Sequence, residues 1–394
     1  MNPRPLGSFP CISGHVATCM VLLLLIHALL FIVPTAAYTE LSDDFLSGIP
    51  SGDADFDIKD GKLLAPILIP RVPGTEGQAR AQEHFVAFFR DELPEWRAEW
   101  YNSTSTTPAT GDRQVPFANL LFRRDPPWTR DRPGRAGYLT LVAHYDSKLK
   151  PDGFIGATDS AAPCAMLMHV ARSIEGHLVR MWEDVQRRDG EGGKDLGVQI
   201  LLLDGEEAFV SWTATDSLYG ARALAEEWEN TANPALSTFR SPLGQINLFL
   251  LLDLLGSAGP SVPSFFQSTH WAYRAMARIE ERMRGLGTLE SDPKKPFLPD
   301  ADKKASEFRP AGVGDDHIPF MARGVPVLHI IPAPFPAVWH TMEDDGEHLD
   351  LPTVRDWARI VTAFALEWLD IRADGASDAT PPHPHGRGVR DTAG

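Results

Sequence analysis

Three nearly continuous apolar runs constrain this chain more than any other feature: Val198–Leu203, Ile246–Leu252 and Val325–Ile331. Each has the length of a strand. Apolar residues fill consecutive positions rather than alternate ones, so both faces of each strand must be covered. Helical patterns at Ala161–Glu175, Ser217–Trp228, Trp271–Leu286 and Pro352–Leu369 alternate with these runs and can supply the cover. Two further strands are predicted at Pro116–Arg123 and Gly137–His144. The expected fold class is α/β: a single globular domain over 41–372, with a central, mostly parallel mixed β-sheet flanked by helices. Ahead of the sheet, Leu41–Arg71 reads as short helix and loop. Thr75–Trp100 reads as a helix, with Phe85, Phe88, Phe89 and Leu93 at helical spacing, and Tyr101–Val115 as a Thr/Pro/Gly-rich turn. Glu183–Asp195 reads as a charged, Gly-rich surface insertion.

The ends of the chain differ from this body. Val16–Val33 is almost wholly apolar, and the small residues of Pro34-Thr35-Ala36-Ala37 follow it. Residues 1–37 therefore read as a signal peptide or a signal anchor. Membrane contact is expected only if that segment is an uncleaved anchor, and the rest of the chain is expected to be secreted or in the secretory-pathway lumen. Asn102-Ser103-Thr104 is the N-glycosylation sequon that fits this compartment. Beyond the leader only Cys164 remains, so neither an intrachain disulfide nor a CxxC zinc site is available there. Any metal must be held by His and carboxylates. Residues 373–394 are polar, with Pro, Gly and Asp, and are expected to be disordered. His383 and His385 in that tail are poor ligand candidates. The net charge is −16 and no basic run is present, which excludes a nucleic-acid partner.

In a parallel α/β sheet, ligands bind beyond the carboxyl ends of the strands. The polar residues gather there. One strand delivers His144-Tyr-Asp146-Ser-Lys148, and another delivers Asp204-Gly-Glu206-Glu207. A third delivers Asp253, while Gly156-Ala-Thr-Asp159-Ser160 and Trp339-His340-Thr341 precede helices. Taken singly, Asp159 could be a helix cap and Glu206-Glu207 a solvated pair. Together they suit a metal centre. Zinc accepts His nitrogen and carboxylate oxygen, and three such ligands leave a position open for chemistry. Two adjacent glutamates project differently, so one can bind metal while the other handles protons.

These motifs, with Asp216-Ser-Leu-Tyr-Gly220 and Asp315-Asp-His317-Ile-Pro-Phe320, resemble the glutaminyl cyclases (glutaminyl-peptide cyclotransferases) of the zinc aminopeptidase-like M28 fold. The resemblance runs from about Arg71 to Leu369. It implies one zinc per chain, held by Asp159, Glu207 and His340, with Glu206 as general base and acid. It implies that Asp253 and Asp315 share a hydrogen-bond network near the leaving group. Trp212, Phe335 and Trp339 become aromatic walls of the substrate pocket. His144 becomes a neighbour without metal. The implied activity converts N-terminal Gln, and slowly Glu, of peptides and proteins to pyroglutamate with release of ammonia. A monomer is expected. Some secreted members carry a disulfide whose first half would fall at Ala143, so Cys164 is expected to be a buried small residue instead. Some relatives have a bulkier polar side chain where Gly314 stands.

Two alternatives have distinct signatures. A dinuclear zinc aminopeptidase of the same fold would use His144 and Asp253 for a second metal. A non-catalytic ectodomain would be expected to have lost ligands, whereas every matched ligand and acid is intact.

Overall fold

The computed structural model describes residues 40–189, 194–309 and 312–370, so the expected leader and tail lie outside the described residues. Among the described residues, six strands form one sheet: β1 (Arg97–Ser105), β2 (Val115–Arg124), β3 (Gly137–His144), β4 (Leu196–Leu203), β5 (Ile246–Leu252) and β6 (Val327–Ile330). Their order is β1-β2-β4-β3-β5-β6. β2 is antiparallel to both β1 and β4, whereas β3 pairs in parallel with β4 and β5, and β5 with β6. The helices are α1 (Asp43–Ser47), α2 (Asp53–Phe56), α3 (Glu76–Glu92), α4 (Ala162–Asp189), α5 (Tyr219–Asn230), α6 (His270–Gly285), α7 (His317–Met321) and α8 (Leu351–Trp368). This is the mixed α/β sheet that the apolar runs required.

Successive strand residues point to opposite faces, and the two faces have separate cores. Leu139, Leu141, Ile200, Leu202, Leu248 and Leu250 pack under Phe85 and Phe89 of α3 and under α4, α6 and α8. Val142, Leu201, Leu203, Phe249 and Leu251 face the other way, toward Leu224 and Trp228 of α5 and Phe320 of α7. Helices on both faces leave the carboxyl edge of the parallel strands open for loops. No helix among the described residues is long and apolar enough to cross a membrane.

Three expectations need correction. The helix predicted to Trp100 stops at Glu92, because Pro94 cannot continue it. The turn predicted over Tyr101–Val115 begins as strand: β1 runs from Arg97 to Ser105 and pairs along its whole length with β2. It was hard to see because it is an exposed edge strand with polar side chains, which suits an edge but hides the alternation. Asn102 of the sequon lies on its exposed side. The insertion predicted from Glu183 is helix as far as Asp189. There Trp182 is buried under the Arg124 guanidinium, 4.9 Å from its ring, so the charges belong to the outer face of a helix.

The turn after β4 is built around Gly205. Its φ of 71° is left-handed, and an added Cβ would lie 2.4 Å from the Phe117 ring. Gly205→Ala combines backbone strain with overpacking and is expected to lower unfolding free energy by ~3 kcal/mol. Urea denaturation reads this loss. Measured in a Phe117→Ala background, Gly205→Ala should cost less, because the contact is gone. A Gly205→Ala variant as stable as the wild type would contradict the account.

Candidate active site

The parallel register aligns the strand ends. His144 sits opposite Leu203, so the end of β3 lies beside the turn that carries Asp204, Glu206 and Glu207. β5 ends one residue before Asp253. Asp159 comes from a kinked turn over Ala157–Ala161, where its backbone is non-helical (φ −116°, ψ 78°). His340 comes from the loop after β6 and holds a left-handed φ of 58°. Such a conformation is uncommon for a non-glycine residue and persists only where its surroundings impose it.

These side chains converge. The ligand atoms of Asp159, Glu207 and His340 all lie within 4.8 Å of one another, as a group that could hold a metal ion. His340 Nε2 is 3.3 Å from Asp159 Oδ2 and 3.6 Å from Glu207 Oε2. The donor set suits a divalent cation. Glu207 Oε1 is buried with no hydrogen-bond partner among the described residues. Burial works against a charged His340, yet its bonds to Asp159 and Glu207 lift its pKa to about 9. The two carboxylates therefore favour positive charge at this point. Burial likewise works to raise Asp159, but His144 and His340 overcome it and hold that carboxyl below its usual range.

Glu206 is buried beside this group, and burial pushes its carboxyl well above the usual range. His144 pulls the other way, while Glu207, Asp315 and Asp316 add to the rise. The same holds for Asp315, raised by burial and then by Asp253. Asp253 accepts from the Ser160 hydroxyl and from the Leu254 N–H at 2.8 Å. His144 Nε2 lies 2.9 Å from Asp159 Oδ1 and 3.4 Å from Asp253 Oδ1, which links the two acids. Among the aromatic candidates, Trp339 stacks on His340 at 3.8 Å and meets Phe335 edge-on at 4.8 Å. The Trp212 indole lies beside Gly314, the residue before Asp315.

Several contacts at the site are not encoded in the motifs themselves. His329 Nε2 is 2.7 Å from Asp315 Oδ2, and the only signal was one polar residue inside an otherwise apolar strand. Lys148 Nζ lies 3.2 Å from Glu207 Oε2. Asp146 accepts the backbone N–H groups of Glu206 at 3.0 Å and Glu207 at 3.1 Å, tying the ends of β3 and β4 together. Arg71 is fully buried and donates to the carbonyls of Tyr145, Ile67, Ile69, Ile155 and Gly156. Asp204 turns away from the cluster, accepting from Gln78 and from the Ala118 N–H. Cys164 is a buried free thiol that donates to the His144 carbonyl.

The layout can be compared with known proteins. Residues 128–365 match the model of peptidase family M28. A glutaminyl-peptide cyclotransferase of Gloydius blomhoffii is 38% identical over 313 residues, covering 78% of this chain and 80% of that one. One of Bos taurus is 37% identical over 316 residues, covering 78% and 81%. The crystal structure of Macrostomum lignano glutaminyl cyclase superposes with a TM-score of 0.68 at 28% identity, covering 86% of this chain and 96% of the other. The chain belongs to peptidase family M28 and, within it, to the glutaminyl-peptide cyclotransferases.

Removing the Asp146 carboxylate orphans two buried N–H groups and frees the turn that carries Glu207. Asp146→Ala is expected to weaken binding of a divalent cation at Asp159, Glu207 and His340 about 10- to 100-fold, as losing a bond that orients a ligand does. Competition of added metal with a fluorescent chelator measures this. Wild-type affinity in the variant would show that the turn holds its shape without Asp146.

Proposed function

We propose that this chain is a zinc-dependent acyltransferase, a glutaminyl-peptide cyclotransferase. It converts N-terminal glutamine, and more slowly glutamate, of peptides and proteins to pyroglutamate. The observation that carries the reading is the Asp159, Glu207 and His340 group with the buried Glu206 carboxyl directly beside it. The relatives at 37–38% identity that are named for this activity support it.

Asp159, Glu207 and His340 would hold one zinc, which supplies Lewis acidity toward the γ-carbonyl oxygen of the substrate glutamine. The substrate α-amine attacks its own γ-carbonyl carbon. A C–N bond forms, the bond to the carboxamide nitrogen breaks, and ammonia leaves; no water is consumed. Glu206 takes a proton from the amine and returns one to the departing nitrogen. Burial raises the pKa of its carboxyl, so the carboxylate is a stronger proton acceptor from the amine and, once protonated, can pass the proton to the departing nitrogen. Burial and the nearby Asp253 push the Asp315 carboxyl up, and His329 fixes Asp315, so these two acids are placed to act near the leaving nitrogen. Trp212, Phe335 and Trp339 wall the side chain so that it folds back on its amine, a proximity effect. The apolar leader over 1–37 and the exposed sequon support a secretory-pathway location.

A second reading draws on one observation. His144, Asp159 and Asp253 also form a group that could hold a metal, as a two-zinc aminopeptidase requires. Against it, Asp253 Oδ1 already accepts from Ser160 and from the Leu254 N–H. Metal analysis of the purified protein is expected to give one zinc per chain; two, with amino-acid release from peptides, would replace the cyclase reading.

The direct test is ammonia release from a Gln-initiated peptide. Glu206→Gln is expected to lower kcat by a factor of about 100 to 10,000, the range of general acid–base catalysis, while zinc stays bound. Near-normal turnover in that variant would sink the proton-transfer assignment. His340→Ala is expected to lose the metal, read by elemental analysis of the protein after gel filtration.

A further inference from the structure

The proposed reaction leaves two buried imidazoles largely unused. His317 belongs to α7 and His329 to β6, and their rings meet with centroids 4.5 Å apart, tilted by 46°. His329 bonds Asp315, but each histidine also has a buried Nδ1 with no hydrogen-bond partner among the described residues. An unpaired buried polar atom costs free energy, so two of them side by side need a reason. Packing alone does not give one. Apolar side chains would fill the same space without leaving two nitrogens unpaired.

The state of the rings suggests what they can bind. Burial pushes His317 down to about 2, helped by His329, and pushes His329 down to about 4 against the pull of Asp253. Both imidazoles are therefore neutral at physiological pH, and each ring carries a lone pair. Neutral imidazole is the form that ligates metal ions.

A third donor is in place. Ligand atoms of Asp315, His317 and His329 all lie within 4.8 Å of one another, as do those of Asp159, Glu207 and His340. Two imidazoles and a carboxylate suit a divalent transition ion, whereas magnesium and calcium prefer oxygen donors. Phe265 lies 5.5 Å from the His329 ring and Phe266 5.5 Å from the His317 ring. Asp316, next in sequence, is buried with neither carboxylate oxygen hydrogen-bonded among the described residues. Aromatic walls and surplus acid together strengthen the attraction for a cation. One cost makes this group the weaker of the two. The bond between His329 and Asp315 must open before both can face an ion.

We propose that Asp315, His317 and His329 form a second, inhibitory site for a divalent transition ion. It fills only when such ions exceed the one held by Asp159, Glu207 and His340. An ion bound there engages Asp315 and withdraws it from the leaving nitrogen, so turnover slows while the first metal stays. The binding stands apart from the cyclase reading; the effect on turnover rests on it.

The test titrates zinc chloride into protein that already holds one zinc, followed by calorimetry. The wild type is expected to take up a further zinc at this group. His317→Phe and His329→Gln each remove a donor and should weaken that uptake about tenfold or more, since even an outer-shell loss costs about 10- to 100-fold. Surface histidines bind alike in all three proteins and cancel in the comparison. Thermal melting checks folding, and either folded variant suffices.

Ammonia release from a Gln-initiated peptide is then followed against free zinc, each protein relative to its own rate without added zinc. Wild-type turnover should fall about tenfold or more as the site fills, with the midpoint about tenfold higher in His317→Phe. Magnesium should leave turnover unchanged. The proposal is overturned by no further uptake, by equal uptake in wild type and variants, by uptake without inhibition, or by equal inhibition with magnesium. Absence of ammonia from every Gln peptide, with uptake still weakened in the variants, would count against the cyclase reading and leave the ion site standing.

Discussion

The parallel register of β3 with β4 and β5 is the constraint on which the site depends. Parallel strands end at the same edge, and helices cover both faces. Whatever follows each strand is therefore delivered to one rim. His144 faces Leu203 across the ladder, and β5 brings Asp253 to the same edge. An antiparallel arrangement of the same strands would send half of these residues to the opposite end. The antiparallel strands β1 and β2 extend the sheet beyond β4, and the start of β2 meets this rim where the Ala118 N–H bonds Asp204.

Collecting carboxylates out of water has an electrostatic consequence. Asp159, Glu206, Glu207, Asp253 and Asp315 are all buried at this rim. They cannot all be ionised without compensation. Two solutions coexist within a few ångströms. Around Asp159 and Glu207 the field favours a cation, as the raised pKa of His340 shows. Around Glu206 and Asp315 burial dominates and pushes both carboxyls well above their usual range. A cation-binding position beside a carboxyl of raised basicity is what the proposed cyclisation requires.

Loops carrying such residues are held by polar anchors rather than by apolar packing. Arg71 gathers five backbone carbonyls from three segments. Asp146 holds the turn of Glu206 and Glu207, and Asp216 holds the loop before α5. Buried carbonyls and N–H groups need partners, and irregular segments cannot supply them to themselves. The anchors thus satisfy the backbone and fix the geometry of the rim together.

Much of this was legible in the chain. Apolar runs on both faces of a strand demand a helix-covered sheet, and acids at the ends of such runs mark the rim. Asp159, Glu206, Glu207, Asp253 and His340 stood out for that reason. Sequence alone also determined what was impossible, since a single cysteine after residue 37 leaves His and carboxylates as the metal donors. Other features were settled only by tertiary structure. β1 exists because β2 pairs with it, not because its polar sequence alternates clearly. The His329 bond to Asp315 joins β6 to the loop before α7, 14 residues away, a pairing that local pattern does not encode. Which side chains stand beside Gly314, Trp212 and Ile318, is likewise set by the fold. Periodicity records which face of an element is buried. Which partner meets that face depends on long-range packing, and so the direction of each side chain at the rim belonged to the fold.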